Sequence, residues 1–454
     1  MLTGLDHHVA QAILGIDTLW GGDVRNPSGT GRFIADCWFS DEAPPAAYTH
    51  AAAARLRETG GVTAKERDLG ALDAYLADVD VRGSIAAVAA EAERIGGLRG
   101  AYLSGLALCF GVMWDLAMEL AGRGGKVPYE RCVRAATGRA PEPSRPEENR
   151  RLVAELLGAA GHAAKDRPGL LAAVDAWRRG RLVEGTAIPQ LAPKIIADLD
   201  ALTRKNLLPY LPAELRDVPL SNVAFLPIEN AWFSGSMNYL GRARRSDGSP
   251  EYEATYELNA SLQISVPEFH QLVSHEVVPG HVTTFALLQG LWVRRRVGFE
   301  ATVLTMNTRY AALAEGIANN ALLMAYGVTD VREIPDRDVV IGLLLALLQD
   351  DAKNQSSYLT WSEERPQAEV AAVLRNDCLV SPERADKLSG AWGRHPLLGR
   401  MNLPGYRAGT EKVAALRKAH RPEKVLPVLF SAAGLVDVVT VDAALESRAE
   451  ASPA

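Results

Sequence analysis

Apolar residues return at every third or fourth position along almost the whole chain, and this constrains the fold more than any other feature. The pattern is clearest over 65–95, 99–122, 150–180 and 338–350. That spacing places the apolar side chains on one face of an α-helix. Strand-like alternation is scarce, so the expected fold class is mainly α. With 454 residues the chain can bury a large core and divide into two lobes around a cleft. A proline- and charge-rich stretch, 138–146 (GRAPEPSRP), predicts a linker. It separates an N-terminal helical region, 1–140, from a catalytic region, 147–454, that shares the cleft. Residues 219–262 differ, with Phe225, Tyr239, Tyr252 and Tyr256 in short runs around the turn sequence Asp247-Gly248-Ser249-Pro250. A few strands are expected there, the clearest over 253–262, while the last ten or so residues are expected to fray.

Charge excludes some partners. There are 49 basic against 55 acidic residues, a net charge of −6, whereas nucleic acid and anionic membranes reward a basic surface. The apolar run from Ala101 to Met118 is interrupted by Asp115 and closed by Glu119, which predicts a buried core helix and no membrane partner. Cys37, Cys109, Cys132 and Cys378 form no C-x-x-C pair, and the opening MLTGLDHHVA has neither a basic nor an apolar signal region. Both point to a cytoplasmic chain with reduced, buried thiols.

The chemistry is concentrated in 265–281, SVPEFHQLVSHEVVPGH. Ser265 followed by Glu268 forms a capping box, and Phe269, Leu272, Val273 and Val277 give the ensuing helix an apolar face. In a zinc-hydrolase helix of the H-E-x-x-H type, two histidines one turn apart hold the metal and the glutamate activates water. Here His281 follows His275 by six residues, which turns an ideal helix by about 240° and separates the two. Pro279 and Gly280 lie between them. The proline ring would collide with the His275 carbonyl in a continuous helix, and glycine accepts backbone angles others avoid. A break there brings His281 back beside His275.

The string H-E-x-x-P-G-H resembles the signature of the family called domain of unknown function 885, a branch of the glutamate-zinc metallopeptidases. That family carries a second helix beginning E-G-W-A-L-Y about thirty residues on, and Ala314-Glu315-Gly316-Ile317-Ala318-Asn319-Asn320 is similar to it. Tyr256-Glu-Leu-Asn259 resembles the family's Y-Y-x-N strand. Leu403-Pro-Gly-Tyr406-Arg407-Ala-Gly409 resembles a proline-glycine turn followed by Y-K-x-G. The likeness is good over 220–320 and looser over 394–417. It implies a zincin-like helical metallopeptidase architecture with a small sheet beside the motif helix, and Glu315 as third zinc ligand. Val282 stands where the family has a second histidine, and Ile317 and Asn320 replace its tryptophan and tyrosine.

Three protein ligands leave a zinc position open for water. Glu276, next to a ligand, is the expected general base. Tyr406 is the candidate oxyanion donor and Arg407 the candidate anchor for a substrate carboxylate. The strand holding Tyr256 and Asn259 is expected to pair with the backbone of a peptide or small peptide-like substrate as an edge strand does. Asp350-Asp351 could form a second acidic site, but a helix face is the better reading. Two alternatives share these residues: a non-haem iron enzyme with the same His/His/Glu triad, and a helical binding protein that has lost activity. Glu276 weighs against the first, because an oxygenase needs no base beside a ligand.

Overall fold

The computed structural model describes residues 2–26, 34–184, 187–229, 235–259, 263–432 and 435–450. About 65% of the chain is helical and the strands are short, so the fold is mainly α. Two of the four periodic segments divide where a capping residue interrupts them, and the other two each fall on one helix. The 65–95 region becomes Leu69–Asp78 and Val81–Ile95, the second capped by Asp80, whose carboxylate accepts the Gly83 N–H. The 150–180 region becomes Glu147–Ala159 and Arg167–Arg179, the latter capped by Asp166. A short acidic side chain satisfies N–H groups that a helix start leaves orphaned.

The helix Gly97–Leu120 is long and apolar enough to cross a membrane, but 61% of its most apolar window is buried inside the protein. Leu103, Phe110 and Met113 are fully covered, which makes it a core helix. The four cysteines are free and buried. One continuous apolar cluster runs from Val9 to Leu445, drawing on residues either side of the proline-rich stretch. That stretch lies on the helix Arg337–Trp361. The Ser144 N–H donates to Gln355 Oε1, and Ser144 Oγ donates to the Asp351 carbonyl.

Seven strands form three small sheets among the described residues. β1 (Ala35–Trp38) pairs with β7 (Val303–Thr305), and β2 (Leu182–Glu184) with β6 (Gln263–Ser265). β3 (Val223–Ile228), β4 (Gly235–Tyr239) and β5 (Ala254–Asn259) make the largest, in the order β3-β5-β4. β5 corresponds to the strand expected over 253–262, of which 260–262 lie outside the described residues, as do 451–454 of the tail. Its place corrects the edge-strand expectation. β3 runs parallel along one side and β4 antiparallel along the other, with Tyr256 opposite Phe225 and Met237. Both sides of β5 are therefore occupied by this chain, and no substrate backbone can pair there.

Candidate metal centre

The motif helix Val266–Glu276 starts on Ser265 as predicted, with the serine half of the capping box formed. Ser265 Oγ accepts the Glu268 N–H at 3.3 Å and donates to the Glu268 carboxylate at 2.7 Å. The helix stops at Glu276, where Val277 takes the non-helical angles φ −113°, ψ −82°. A second helix, His281–Val293, begins directly after Gly280. A Cβ on Gly280 would lie 1.7 Å from the His275 carbonyl oxygen, so only glycine fits the bend. Thr283 fixes the new direction by donating from Oγ1 to the Leu220 carbonyl at 2.7 Å. The break places the two imidazoles 4.8 Å apart between centroids with their planes at 89°.

Glu315 arrives on the helix Arg309–Asn319, which Thr308 caps through the Ala311 N–H at 3.2 Å. This helix crosses Leu403–Ala419 with glycine on glycine. A Cβ on Gly316 would lie 2.2 Å from the Gly409 carbonyl, and one on Gly409 would lie 1.7 Å from that of Ala312. The glycines of the Glu-Gly and Tyr-Arg-x-Gly sequences thus have one shared cause: they let two backbones touch. The contact sets Tyr406 near Glu315. Pro404 and Gly405, expected as a turn, form the first turn of Leu403–Ala419, where proline loses nothing by lacking an N–H.

His275, His281 and Glu315 present ligand atoms that all lie within 4.8 Å of one another. Glu315 Oε2 is 3.5 Å from His275 Nε2 and 3.7 Å from His281 Nε2. Those separations exceed a hydrogen bond, and Glu315 Oε2 is buried with no hydrogen-bond partner. Two ligands each 2.0–2.1 Å from a shared tetrahedral ion would stand about 3.4 Å apart. The donor set therefore fits a small cation better than it fits itself. The side chains are 14%, 11% and 19% exposed, deep but reachable from solvent.

Electrostatics favour a neutral His275 and an ionised Glu315, while Glu315 draws a proton towards His281. Burial, followed by the neighbouring His281, pushes His275 down to about 3. Burial alone would raise Glu315, but His281 and then His275 hold its carboxyl down to about 2. His281 is raised: burial would lower it, and the Glu315 carboxylate outweighs that. Glu276 Oε1 lies 4.0 Å from His275 Nε2. Burial, then Glu315 and Glu276, keep the Tyr406 phenol protonated as a donor.

The remaining candidates separate. Tyr256 is buried in β5 with its ring 5.4 Å from Phe225, and its phenol feels Glu276. Asn259 ends β5 opposite Ile228. Arg407 is ion-paired with Asp351 and, at 2.6 Å, with Glu411, which corrects its assignment as a carboxylate anchor because its charge is already compensated. Asp350 and Asp351 lie on the helix Arg337–Trp361, as expected. Both are buried, and Asp350 accepts from Lys353 at 3.1 Å and from Thr410 at 3.2 Å.

Two site residues escaped the sequence reading. Lys353 puts its ammonium 3.3 Å from the centroid of the Tyr406 ring. Asn319, one turn after Glu315, adds to the electrostatics of the His275 ring and donates to Thr410 at 2.9 Å. The only sequence signal was four-residue spacing, Glu315 to Asn319 on one helix face.

No family model matches the sequence, and no curated protein matches it. A solved structure described as a candidate lipoprotein from Colwellia psychrerythraea aligns with TM-score 0.54 at 13% identity, covering 81% of this chain and 67% of that one. Another, a candidate lipoprotein of unknown function from Shewanella oneidensis, gives 0.49 at 12%, covering 76% and 65%. The chain spans about two thirds of the length of each. The first likeness is one of fold. It overturns the cytoplasmic expectation, since a chain of this fold is described as a lipoprotein and a missing signal pattern assigns no compartment.

Proposed function

We propose that the chain is a zinc-dependent hydrolase that cleaves an amide bond in a peptide or small peptide-like substrate. The observation that carries this is Glu315 Oε2, a buried carboxylate oxygen with no hydrogen bond, standing 3.5 and 3.7 Å from two imidazole nitrogens. Burying such a group is costly unless something satisfies it, and a cation does so. Nitrogen and carboxylate donors in a set of three suit zinc with one position left open. A bound zinc ion would supply Lewis acidity, lowering the pKa of a water molecule and polarising a carbonyl.

The chain's own residues supply the rest. Glu276, beside His275, accepts the proton of the attacking water and returns it to the leaving amine. Tyr406 donates its phenolic hydrogen to the oxygen that gains charge, while Lys353 holds the ring from its face. The resemblance to the domain of unknown function 885 family supports the choice of peptide bond and a zincin-like arrangement. Glu276, a base adjacent to a ligand, favours hydrolysis over iron oxygenation.

The test is turnover of a peptide library by wild type and Glu276→Gln, both loaded with zinc. Hydrolysis should fall by about 10²–10⁴-fold in the variant while metal is retained. Equal rates would remove Glu276 from the reaction, and absence of turnover in wild type across the library would count against the hydrolase itself.

A further inference from the structure

Arg400, which is buried, and Arg384, which is half-buried, each stack on a tryptophan, and among the described residues only the first has a counter-charge. Arg400 lies 4.3 Å over Trp361, with Glu119 oxygens at 3.0 and 3.1 Å from its terminal nitrogens. Arg384 lies 4.8 Å over Trp392, and among the described residues no carboxylate stands within ion-pair distance of it. The Nε of both arginines is buried without a hydrogen-bond partner, so the missing carboxylate is what sets Arg384 apart, and Arg384 as a whole is partly open to solvent. Its main-chain N–H is used by Ser381, which caps the short helix Pro382–Lys387, so the backbone there is fixed.

A guanidinium offers five donors in a planar fork suited to carboxylate. Enclosing one without a counter-charge is unfavourable, and stacking on an indole offsets only part of the cost. Arg384 is also near the chemistry. The Tyr406 phenol is within electrostatic reach of Arg384, Glu315 and Glu276 together. Arg384 in turn feels Tyr406 and Asp350, and Asp350 is already bonded to Lys353 and Thr410. The residue that the sequence suggested for binding an anion, Arg407, is neutralised by Asp351 and Glu411.

We propose that Arg384, backed by Trp392, is the subsite for a free carboxylate of the substrate, so that the substrate class is a peptide or acyl-amino acid with an acidic group close to the bond cut. This rests on the hydrolase reading for the position of that bond. The site selects for an acid against its amide, because the amide leaves the guanidinium without a counter-charge.

The experiment measures binding without turnover. Zinc-loaded Glu276→Gln protein is dialysed to equilibrium against an N-acetylated tripeptide pool with free C-terminal carboxylates, and against the same pool amidated. The acid pool should bind about 10- to 100-fold more tightly, the range expected for a charge-assisted hydrogen-bonded pair. Arg384→Met in the same background should erase the difference, and Arg384→Lys should keep part of it. Equal binding of the pools, binding of neither, or discrimination that survives Arg384→Met would each overturn the proposal. Wild-type turnover is read separately. Discrimination without cleavage would remove the hydrolase reading and leave the carboxylate subsite standing.

Discussion

The Glu119–Arg400 pair and the His275–His281–Glu315 cluster are both buried and charged, yet they are built on opposite principles. Around Glu119 every polar contact is a hydrogen bond made by the chain itself. Arg400 donates at 3.0 and 3.1 Å, the Val127 N–H at 2.7 Å, and Arg400 also reaches the Val127 carbonyl at 3.3 Å. Around Glu315 the separations are 3.5 and 3.7 Å, and the oxygen between the imidazoles has no hydrogen-bond partner. The first arrangement pairs both carboxylate oxygens with both terminal guanidinium nitrogens, leaves only Arg400 Nε without a partner, and ties residue 119 to residue 400. The second is complete only with something added. Burial alone is therefore a poor guide to function, and the spacing of the donors is the better one.

If that contrast is right, the largest stability effect belongs to the closed pair. Glu119→Gln strands the Arg400 guanidinium and should cost about 3 kcal/mol in urea unfolding, the lower end for breaking a buried pair. A loss below about 1 kcal/mol would put Glu119–Arg400 with the weak surface pairs and break the comparison.

Asp17 sharpens it from a third direction, as a buried carboxylate that, among the described residues, accepts from the backbone N–H groups of Ile34 and Ala35. Burial raises its carboxyl from 3.8 to about 7, although those two donors oppose the shift. The folded state then holds the proton more tightly than the unfolded state. Its contribution is fully present below about pH 4 and is lost as pH rises through about 7. Stability should fall by about 2 kcal/mol between pH 5 and pH 8, and Asp17→Asn should flatten that slope. An unchanged slope in the variant would show that backbone donors alone can hold this carboxylate ionised.

The sequence carried the helices because their signal is local: periodicity, caps such as Asp80 and Thr308, and a proline-glycine break. The break also allowed His275 and His281 to be paired before any geometry was known, since Pro279 and Gly280 act on the carbonyl of His275 itself. What escaped was everything decided by segments far apart in the chain. β5 is central because residues 223–228 and 235–239 flank it, and nothing within 254–259 says so. Arg407 and Arg384 look alike in sequence. They differ because Asp351 and Glu411 face one and no carboxylate among the described residues pairs with the other. Lys353 reaches Tyr406 from a third helix, Arg337–Trp361, and nothing near 353 in the sequence says that it packs on Leu403–Ala419.

The most direct test is metal content, measured by elemental analysis on untagged wild type and His281→Ala prepared side by side. The account predicts close to one zinc per wild-type chain and loss of it in the variant, because the bend at Gly280 makes His281 a ligand. Iron in place of zinc would contradict the hydrolase assignment. Absence of metal from wild type, even after incubation with zinc, would contradict the claim that the unsatisfied Glu315 oxygen marks a cation site.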